Sequence, residues 1–232
     1  SCLVGSEMCI RDSYAAEASK MASVETDPVR KQELLEIASI CARVPRFGAT
    51  SFYEAVQSMT LAHICIFMET LGETTCPGRI DQFLNPFYEK DVAAGNISRE
   101  RAKEILGAFC VKLCETIPMH GEVGTSTLGG LTSWEVVTIG GQDKDGNDAT
   151  NELSFVLLEL ADELRMRQPN FHVRIHKNTP KAFYDEVIRI NFGPGSAPAM
   201  YNDETIIESM TDIGYSLEDA RNYVAIGCVE PT

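Results

Sequence analysis

The sequence predicts a helix-rich α/β fold in which the strands are parallel. Short strand patterns alternate with long helical patterns in the second half of the chain, and turns rich in glycine or proline separate them. This strand–helix–strand order is typical of parallel βα units. The first half, up to about residue 116, shows only helical patterns, so we expect it to supply helices that cover the sheet.

The helices of the first half have recognisable boundaries. Asp27 followed by Pro28 predicts a helix start, because aspartate caps the first turn and proline fits within it. Ser98 is a similar cap, and Pro86 is expected to interrupt the helix that contains it. In chain order, the expected helices span residues 14–24, 28–43, 51–72, 80–95 and 98–116.

The second half supplies the strands. Residues 118–133 are rich in Gly, Ser and Thr and predict a loop. Four strand patterns come after it: WEVVTIGG, FHVRIH, AMY and YVAIGCVE, the first ended by glycines and rich in β-branched residues. Helical patterns over residues 151–166, 179–191, 203–214 and 216–222 lie between these strands.

Residues 1–13, SCLVGSEMCIRDS, differ in character from the rest of the chain. They hold two cysteines and no recognisable helix or strand periodicity, and the run SEMCIRDS resembles translated sequencing adapter. We interpret residues 1–13 as a non-native leader that lies outside the fold. A disordered native segment is the alternative.

Composition limits the classes of partner and location. The net charge of −14 and the pI of about 4.7 argue against nucleic acid or an anionic membrane as a partner. The eight cysteines are scattered without a CxxC pair, so we expect reduced thiols, a cytoplasmic protein and no metal site. His172 and His176 share one face of a strand pattern, but no third ligand accompanies them. His63 lies on an apolar helix face and is expected to be a hydrogen-bonded core histidine.

The closing run GCVEP contains the most reactive pair of side chains. In an extended strand, residues i and i+2 point to the same face, so Cys228 and Glu230 would lie side by side. Gly227 allows close approach by a ligand or another backbone. A thiol beside a carboxyl group at the end of a parallel strand is typical of catalytic sites in α/β barrels. The alternative is a buried cysteine next to a surface glutamate.

Seven collinear stretches give the chain a resemblance to a known family. It resembles the pyruvate formate-lyase domain of glycyl radical enzymes over nearly all of residues 14–232. The matching stretches are ETDPVRKQELLEIA, FYEAVQS, GRIDQFLNPFYEKD, TIGGQDKDGNDATNELSFVLLEL, QPNFHVRIHKNTP, MYNDETII and EDARNYVAIGCVEP.

The resemblance implies a fold and a radical mechanism. Such enzymes are built on a ten-stranded α/β barrel of two five-stranded parallel halves, and a loop carrying the active cysteine enters it from one end. A glycyl radical on a C-terminal loop is installed by an activating enzyme with an iron–sulfur cluster and S-adenosylmethionine. Cys228 matches the cysteine that relays the radical to a small-molecule substrate. A homodimer is expected for the full-length protein.

Glu230 narrows the reaction that the resemblance implies. The Cys-x-Glu pattern is that of the eliminating branch, with glycerol, propanediol and hydroxyproline dehydratases and choline trimethylamine-lyase, and Glu230 would act as general base. Pyruvate formate-lyase itself has two adjacent cysteines, whereas this sequence has Gly227 before Cys228. An acyltransferase of that type or a decarboxylase is the alternative function, and a non-catalytic remnant is another.

Further residues are candidates for the substrate pocket. The resemblance places Cys76 or Thr75, before GRIDQ, and Ser133 or Trp134, before VVTIGG, on its wall, with simple core packing as the alternative. The family's glycyl-radical motif does not occur in these residues, and the last strand pattern is not succeeded by a helix. We therefore expect a partial domain over residues 14–232, truncated at both ends and inactive by itself.

Overall fold

The computed structural model describes residues 2–70, 75–116, 121–128, 135–193, 198–227 and 229–232, with the backbone alone for residues 2–7 and 70. Helices predominate and one parallel sheet lies among them, which confirms the α/β class. None of the described helices is long and apolar enough to cross a membrane.

The helices and strands occur in the expected order. The helices are α1 (Cys2–Val24), α2 (Pro28–Arg43), α3 (Phe52–Thr70), α4 (Ile80–Phe83), α5 (Asn85–Ala93), α6 (Arg99–Glu115), α7 (Glu122–Leu128), α8 (Glu152–Leu164), α9 (Lys181–Asn191), α10 (Asp203–Asp212) and α11 (Leu217–Arg221). The strands are β1 (Val136–Gly140), β2 (Asn170–Ile175), β3 (Ala199–Asn202), β4 (Ala225–Ile226) and β5 (Glu230–Pro231).

Local sequence explains where several helices begin. The Asp27 side chain accepts hydrogen bonds from the backbone N–H groups of Val29 and Arg30, and Ser98 accepts one from Arg101. These contacts satisfy donors that the first turn of a helix cannot pair internally. The expected interruption near Pro86 is confirmed, because α4 ends at Phe83 and α5 begins at Asn85.

Strands β1, β2 and β3 form a parallel sheet in that order, with Val137 opposite Phe171 and Arg174 opposite Tyr201. Alternate residues enter the apolar core, which is shared with α3 to α6, α8 and α9 and includes Val137, Ile139, Phe171 and Val173. Val137, Ile139 and Val173 are fully buried. Complete burial of such a side chain contributes about 1.5–3 kcal/mol to folding.

The opposite face of the sheet is polar. Because side chains alternate along a strand, the neighbours of the core residues point away from the helices. We call this side the inner face, and beside the apolar Val136 it carries the buried polar residues Thr138, His172, Arg174 and Tyr201. Buried polar groups need polar partners, and Arg174 finds them in Asp203 and in the Tyr223 backbone.

The expectation of a final parallel strand over YVAIGCVE is wrong. Strand β4 pairs antiparallel with β5, and Val224 and Thr232 exchange two backbone hydrogen bonds of 3.0 and 2.8 Å. Gly227 adopts φ of +59°, a left-handed conformation that reverses the chain and that glycine adopts without steric cost. Residues 224–232 therefore form what we call the terminal hairpin.

Two further expectations are corrected by the backbone. Residues 2–13 are helical and continuous with the rest of α1, although their sequence carries no regular apolar stripe. The lack of such a stripe is weak evidence against a helix, since contacts with neighbouring helices also stabilise one. Whether residues 1–13 are native stays a prediction. The loop expected over residues 118–133 contains helix α7.

Two glycines at the end of β1 make room for an arginine. Gly140 and Gly141 have φ of +71° and +85°. A Cβ on Gly141 would lie 2.6 Å from Nε of Arg174, and one on Gly140 would lie 3.0 Å from the Arg174 carbonyl oxygen. The two glycines of TIGG are therefore required because the Arg174 side chain and carbonyl oxygen leave no room for a Cβ atom.

Replacing Gly141 with alanine should destabilise the protein by about 2–4 kcal/mol, because the new methyl group meets Arg174 and the φ angle disfavours it. Chemical denaturation of this chain would measure the loss. Gly48→Ala is the matched control, since a Cβ there meets nothing within 4 Å. Equal stability of the two variants would refute the role of Gly141.

Candidate functional site

A buried ion pair lies at the carboxyl end of the sheet. Arg174 of β2 donates from Nε to Asp203 Oδ1 at 2.8 Å and from Nη2 to Asp203 Oδ2 at 3.0 Å, and both side chains are fully buried. Asp203 is the first residue of α10, where a carboxylate also suits the positive end of the helix. The pair joins β2 to α10.

The same guanidinium holds the start of the terminal hairpin. Its Nη1 donates to the carbonyl oxygen of Tyr223 at 2.9 Å, and its Nη2 donates to that of Arg221 at 2.8 Å. The Tyr223 ring lies 3.9 Å from the guanidinium carbon, and the Tyr223 hydroxyl donates to Asp203 at 2.9 Å. Burial and the Asp203 charge raise the pKa of Tyr223, so the phenol stays a donor. We call Arg174, Asp203 and Tyr223 the Arg174 anchor.

A second arginine, Arg79, also binds the residues that precede the terminal hairpin. Arg79 Nη2 donates to the carbonyl oxygens of Gly140 and Gln142, both at 2.9 Å, and Nη1 lies 3.4 Å from the Asn222 side-chain oxygen. Burial, and then the nearby charge of Arg174, lower the pKa of Arg79 to about 10. Arg79 therefore remains cationic at neutral pH and joins the end of β1 to the residues that precede the hairpin.

Asp81 of α4 binds the last residue of β1. Its Oδ2 accepts hydrogen bonds from the Gly140 N–H at 2.8 Å and from the Ser154 hydroxyl at 2.6 Å. Burial raises the pKa of Asp81, and these two hydrogen bonds oppose that shift. The carboxyl group thus ties α4, β1 and the first turn of α8 together.

The terminal hairpin carries the two residues expected to do the chemistry. Glu230 lies in β5 and is exposed, and its Oε2 accepts a hydrogen bond from the Val229 N–H at 2.9 Å. Cys228 lies outside the described residues. Gly227 and Val229 are turn residues, so the expectation of a continuous strand through this segment is wrong, and the shared face of Cys228 and Glu230 stays a prediction.

The hairpin lies over the inner face of the sheet. The residues before it are bonded to Arg174, its strand β4 packs against β1, and the Ala225 backbone forms a hydrogen bond with His172. Burial lowers the pKa of His172 to about 4, whereas the Ala225 backbone and the Glu230 charge favour the protonated form. Tyr201 packs against His172 with the ring centroids 4.7 Å apart.

Two of the expected pocket residues are described, and they lie beside β1. The Cys76 thiol donates to the carbonyl oxygen of Val136 at 3.1 Å and accepts from the Gly78 N–H at 3.3 Å. Burial raises the pKa of Cys76 to about 11, so the thiol stays protonated. Thr75 is buried next to it. Ser133 and Trp134 lie outside the described residues.

The other histidines have structural partners. His63 Nε2 lies 3.0 Å from Glu135 Oε2 with both side chains buried, as expected for a core histidine, but the two atoms lack the geometry of the expected hydrogen bond. His176 Nε2 lies 3.0 Å from Asp148 Oδ1. Within the described ranges, no group of three or more His, Cys, Asp or Glu side chains could hold a metal ion.

Sequence reasoning assigns no role to the Arg174 anchor or to Arg79. A signal is present, because an arginine inside the apolar strand pattern FHVRIH needs a buried acidic partner. The partner lies 29 residues away, and the pattern does not identify it.

A cavity of about 350 Å³ lies elsewhere, among α1, α2, α3 and α6. Its described lining mixes apolar groups such as Ile37 and Leu61 with charged groups such as Arg101 and Glu104. None of the expected site residues lines it, so we assign it no part in the chemistry.

Comparison with known proteins identifies the class. The model of the pyruvate formate lyase-like family matches residues 3–232. The chain therefore belongs to the pyruvate formate lyase-like family, and the resemblance found in the sequence is confirmed.

Individual relatives are named as dehydratases and lyases. The chain is 37% identical over 220 residues to trans-4-hydroxy-L-proline dehydratase of Clostridioides difficile, covering 94% of this chain and 28% of that protein. It is 38% identical to isethionate sulfite-lyase of Oleidesulfovibrio alaskensis, covering 94% of this chain and 26% of that protein. A crystal structure of a glycyl radical enzyme from Archaeoglobus fulgidus superposes with a TM-score of 0.93 at 37% identity, covering 97% of this chain and 29% of that one. The chain thus spans between a quarter and a third of these relatives.

Arg174→Lys should lower the free energy of unfolding by about 3 kcal/mol or more, because an ammonium group cannot pair with Asp203 and both carbonyl oxygens in the same fork geometry. Thermal or chemical denaturation would measure the change. Arg189→Lys is the matched control, since Arg189 pairs with Asp162 and Glu186 at the exposed surface and should matter little. Similar losses for both variants would contradict the importance of the Arg174 anchor.

Proposed function

We propose that the chain is part of a glycyl radical enzyme that breaks a carbon–heteroatom bond by elimination. Cys228 would carry the thiyl radical, and Glu230 would be the general base. The observation that carries the proposal is the terminal hairpin, which includes the Cys-x-Glu sequence and follows residues that the Arg174 anchor holds.

The construction of the hairpin suits a radical relay. A thiol that exchanges hydrogen atoms with two partners must be held accurately, because displacement by about 1 Å can slow such a step about a hundredfold. The residues that precede the hairpin are held by charged hydrogen bonds, from Arg174 to the carbonyl oxygens of Arg221 and Tyr223 and from Arg79 to the Asn222 side chain. At the turn, Val229 is 69% exposed, so this end of the hairpin is accessible from outside the described part of the chain.

A glycyl radical in a part of the protein outside this chain, made by an activating enzyme with an iron–sulfur cluster and S-adenosylmethionine, would supply the unpaired electron. The Cys228 S–H bond breaks as its hydrogen atom is given up. The resulting thiyl then takes a hydrogen atom from a carbon of the substrate, so that the S–H bond forms again and the unpaired electron moves to the substrate carbon.

Glu230 would perform the proton transfer. A carbon radical that bears a hydroxyl group makes its O–H more acidic, and a carboxylate within reach can take that proton as the β substituent leaves. Relatives named as a dehydratase and as a sulfite-lyase support elimination as the reaction type. The leaving group here would be water, an amine or sulfite.

Acyl transfer of the pyruvate formate-lyase type is the alternative, and decarboxylation is another. Gly227 stands where the acyltransferase has its second cysteine, and this disfavours acyl transfer. A remnant without catalytic function is disfavoured by the anchoring of a segment whose sequence carries a thiol and a carboxylate.

The remainder of the site is inferred from the position of the hairpin. The hairpin follows Arg221 and Tyr223, which lie near the carboxyl end of β2. It then runs past His172 toward the amino end of the sheet. Cys76 is held on the first residue of β1 at that end, which supports Cys76, Thr75, Ser133 and Trp134 as pocket residues. We further propose a ten-stranded barrel, a homodimer and a cytoplasmic location for the full-length protein.

Cys228→Ser in the full-length protein should abolish turnover and leave the glycyl radical able to form, because serine keeps the shape of cysteine but its O–H bond is too strong to relay a hydrogen atom. Electron paramagnetic resonance would quantify the radical, and product analysis would measure turnover. Wild-type turnover in this variant would refute the assignment of Cys228.

Glu230→Gln should separate the two steps of the reaction. Hydrogen exchange between Cys228 and the substrate needs only sulfur and should persist, whereas loss of the leaving group should slow by roughly 10²–10⁴-fold for want of a base. Deuterium exchange into recovered substrate and product formation would be measured together.

The matched control for Glu230→Gln is Glu208→Gln on the exposed surface of α10. It should leave both rates unchanged. If Glu230→Gln forms product as fast as the control does, the carboxylate has no catalytic role, and decarboxylation or acyl transfer becomes the better account.

A further inference from the structure

The inner face of the sheet carries a row of polar groups beneath the terminal hairpin. Thr138 of β1 lies opposite His172 of β2, and Tyr201 of β3 packs beside them. The three side chains are 0%, 2% and 7% exposed. Polar groups buried on a face that does not belong to the apolar core require a reason, because desolvation costs free energy unless partners are present.

Tyr201 fixes the imidazole from one side. The two ring planes are inclined by 41°, and the Tyr201 hydroxyl oxygen lies 3.5 Å from His172 Nε2. Because the phenol ring packs on the imidazole and its hydroxyl faces Nε2, His172 has little freedom to rotate within the layer.

The hairpin bounds the imidazole from the other side. Strand β4 packs against β1, the Ala225 backbone forms a hydrogen bond with the imidazole, and Glu230 lies in the paired strand β5. Burial nevertheless lowers the pKa of His172 to about 4, so the ring is neutral near pH 7. A neutral ring supports the hairpin without forming an ion pair with Glu230, and an ion pair would make that carboxylate a weaker base.

The position of His172 differs from that of the Arg174 anchor. The anchor holds the residues where the hairpin begins, Arg221 and Tyr223. His172 lies two residues earlier in β2, about 6.6 Å further toward the turn. It therefore supports the arm between the fixed base and the far end of the hairpin.

We propose that His172, backed by Tyr201, is a positioning residue that sets the height of the terminal hairpin above the sheet and hence the place of the Glu230 carboxylate. This inference rests on the proposed elimination reaction. Without the imidazole, the hairpin would settle toward Thr138, and Glu230 would reach the substrate hydroxyl less often while Cys228 still exchanged hydrogen.

The first test needs no substrate. Amide hydrogen–deuterium exchange of residues 224–232 would be compared in the full-length protein carrying His172→Leu, His172→Gln or Tyr201→Phe. The matched control is His176→Gln, which alters a buried histidine that bonds to Asp148 away from the hairpin. We expect about tenfold faster exchange in His172→Leu, partial recovery in His172→Gln and no change in the control.

The second test separates positioning from general damage. The activated enzyme would be assayed with glycerol, 1,2-propanediol, choline, trans-4-hydroxy-L-proline and isethionate, and the ratio of product formation to substrate hydrogen exchange would be measured. His172→Leu should lower this ratio about tenfold at unchanged glycyl-radical content, and His172→Gln should restore much of it. A purely structural role would lower both rates together and leave the ratio unchanged.

The outcomes separate the two proposals. If Glu230→Gln lowers the ratio but the His172 and Tyr201 variants match the His176→Gln control, the positioning role alone is overturned. If Glu230→Gln itself has the wild-type ratio, the elimination function fails and the inference with it. Should His172→Leu fail to fold, wild-type hairpin exchange in both His172→Gln and Tyr201→Phe overturns the positioning role.

Discussion

The buried pair of Arg174 and Asp203 is the interaction on which the rest of the structure depends. Two charges removed from water are costly unless every donor finds a partner, and Arg174 makes four hydrogen bonds, two to Asp203 and two to backbone carbonyl oxygens. Those partners come from α10 and from the residues just before the terminal hairpin. Strand β2, helix α10 and the start of the terminal hairpin are therefore fixed relative to one another, and the glycines that end β1 are required to let the arginine pass.

This arrangement gives the sheet two faces with different tasks. The outer face joins the helices through Val137, Ile139 and Val173 and supplies the apolar burial that stabilises the fold. The inner face carries arginine, histidine, tyrosine and threonine, which receive the hairpin rather than a layer of helices. The sheet thus holds the terminal hairpin in a fixed position. The proposed chemistry of a thiol and a neighbouring carboxylate requires such a rigid support.

Prediction from the sequence succeeded where the signal was local. The caps at Asp27 and Ser98, the break near Pro86 and the first three strands depend on residues within one or two turns of each boundary. It failed for YVAIGCVE, where β-branched and apolar residues satisfy a strand pattern on both sides of a reversal. It also failed for the backbone of residues 2–13, where a weak periodicity concealed a helix.

The sequence by itself determined the family, the α/β class and the Cys-x-Glu pattern that suggests elimination, because collinear motifs and hydrophobic periods are written in neighbouring residues. Only the tertiary structure decided that the last segment is a hairpin, that Arg174 and Asp203 hold its base, and that His172 lies beneath its arm. These features depend on contacts between residues about 30 to 60 positions apart. Their physical cause is the need to pair buried charges, and a sequence period does not record which distant group will meet that need.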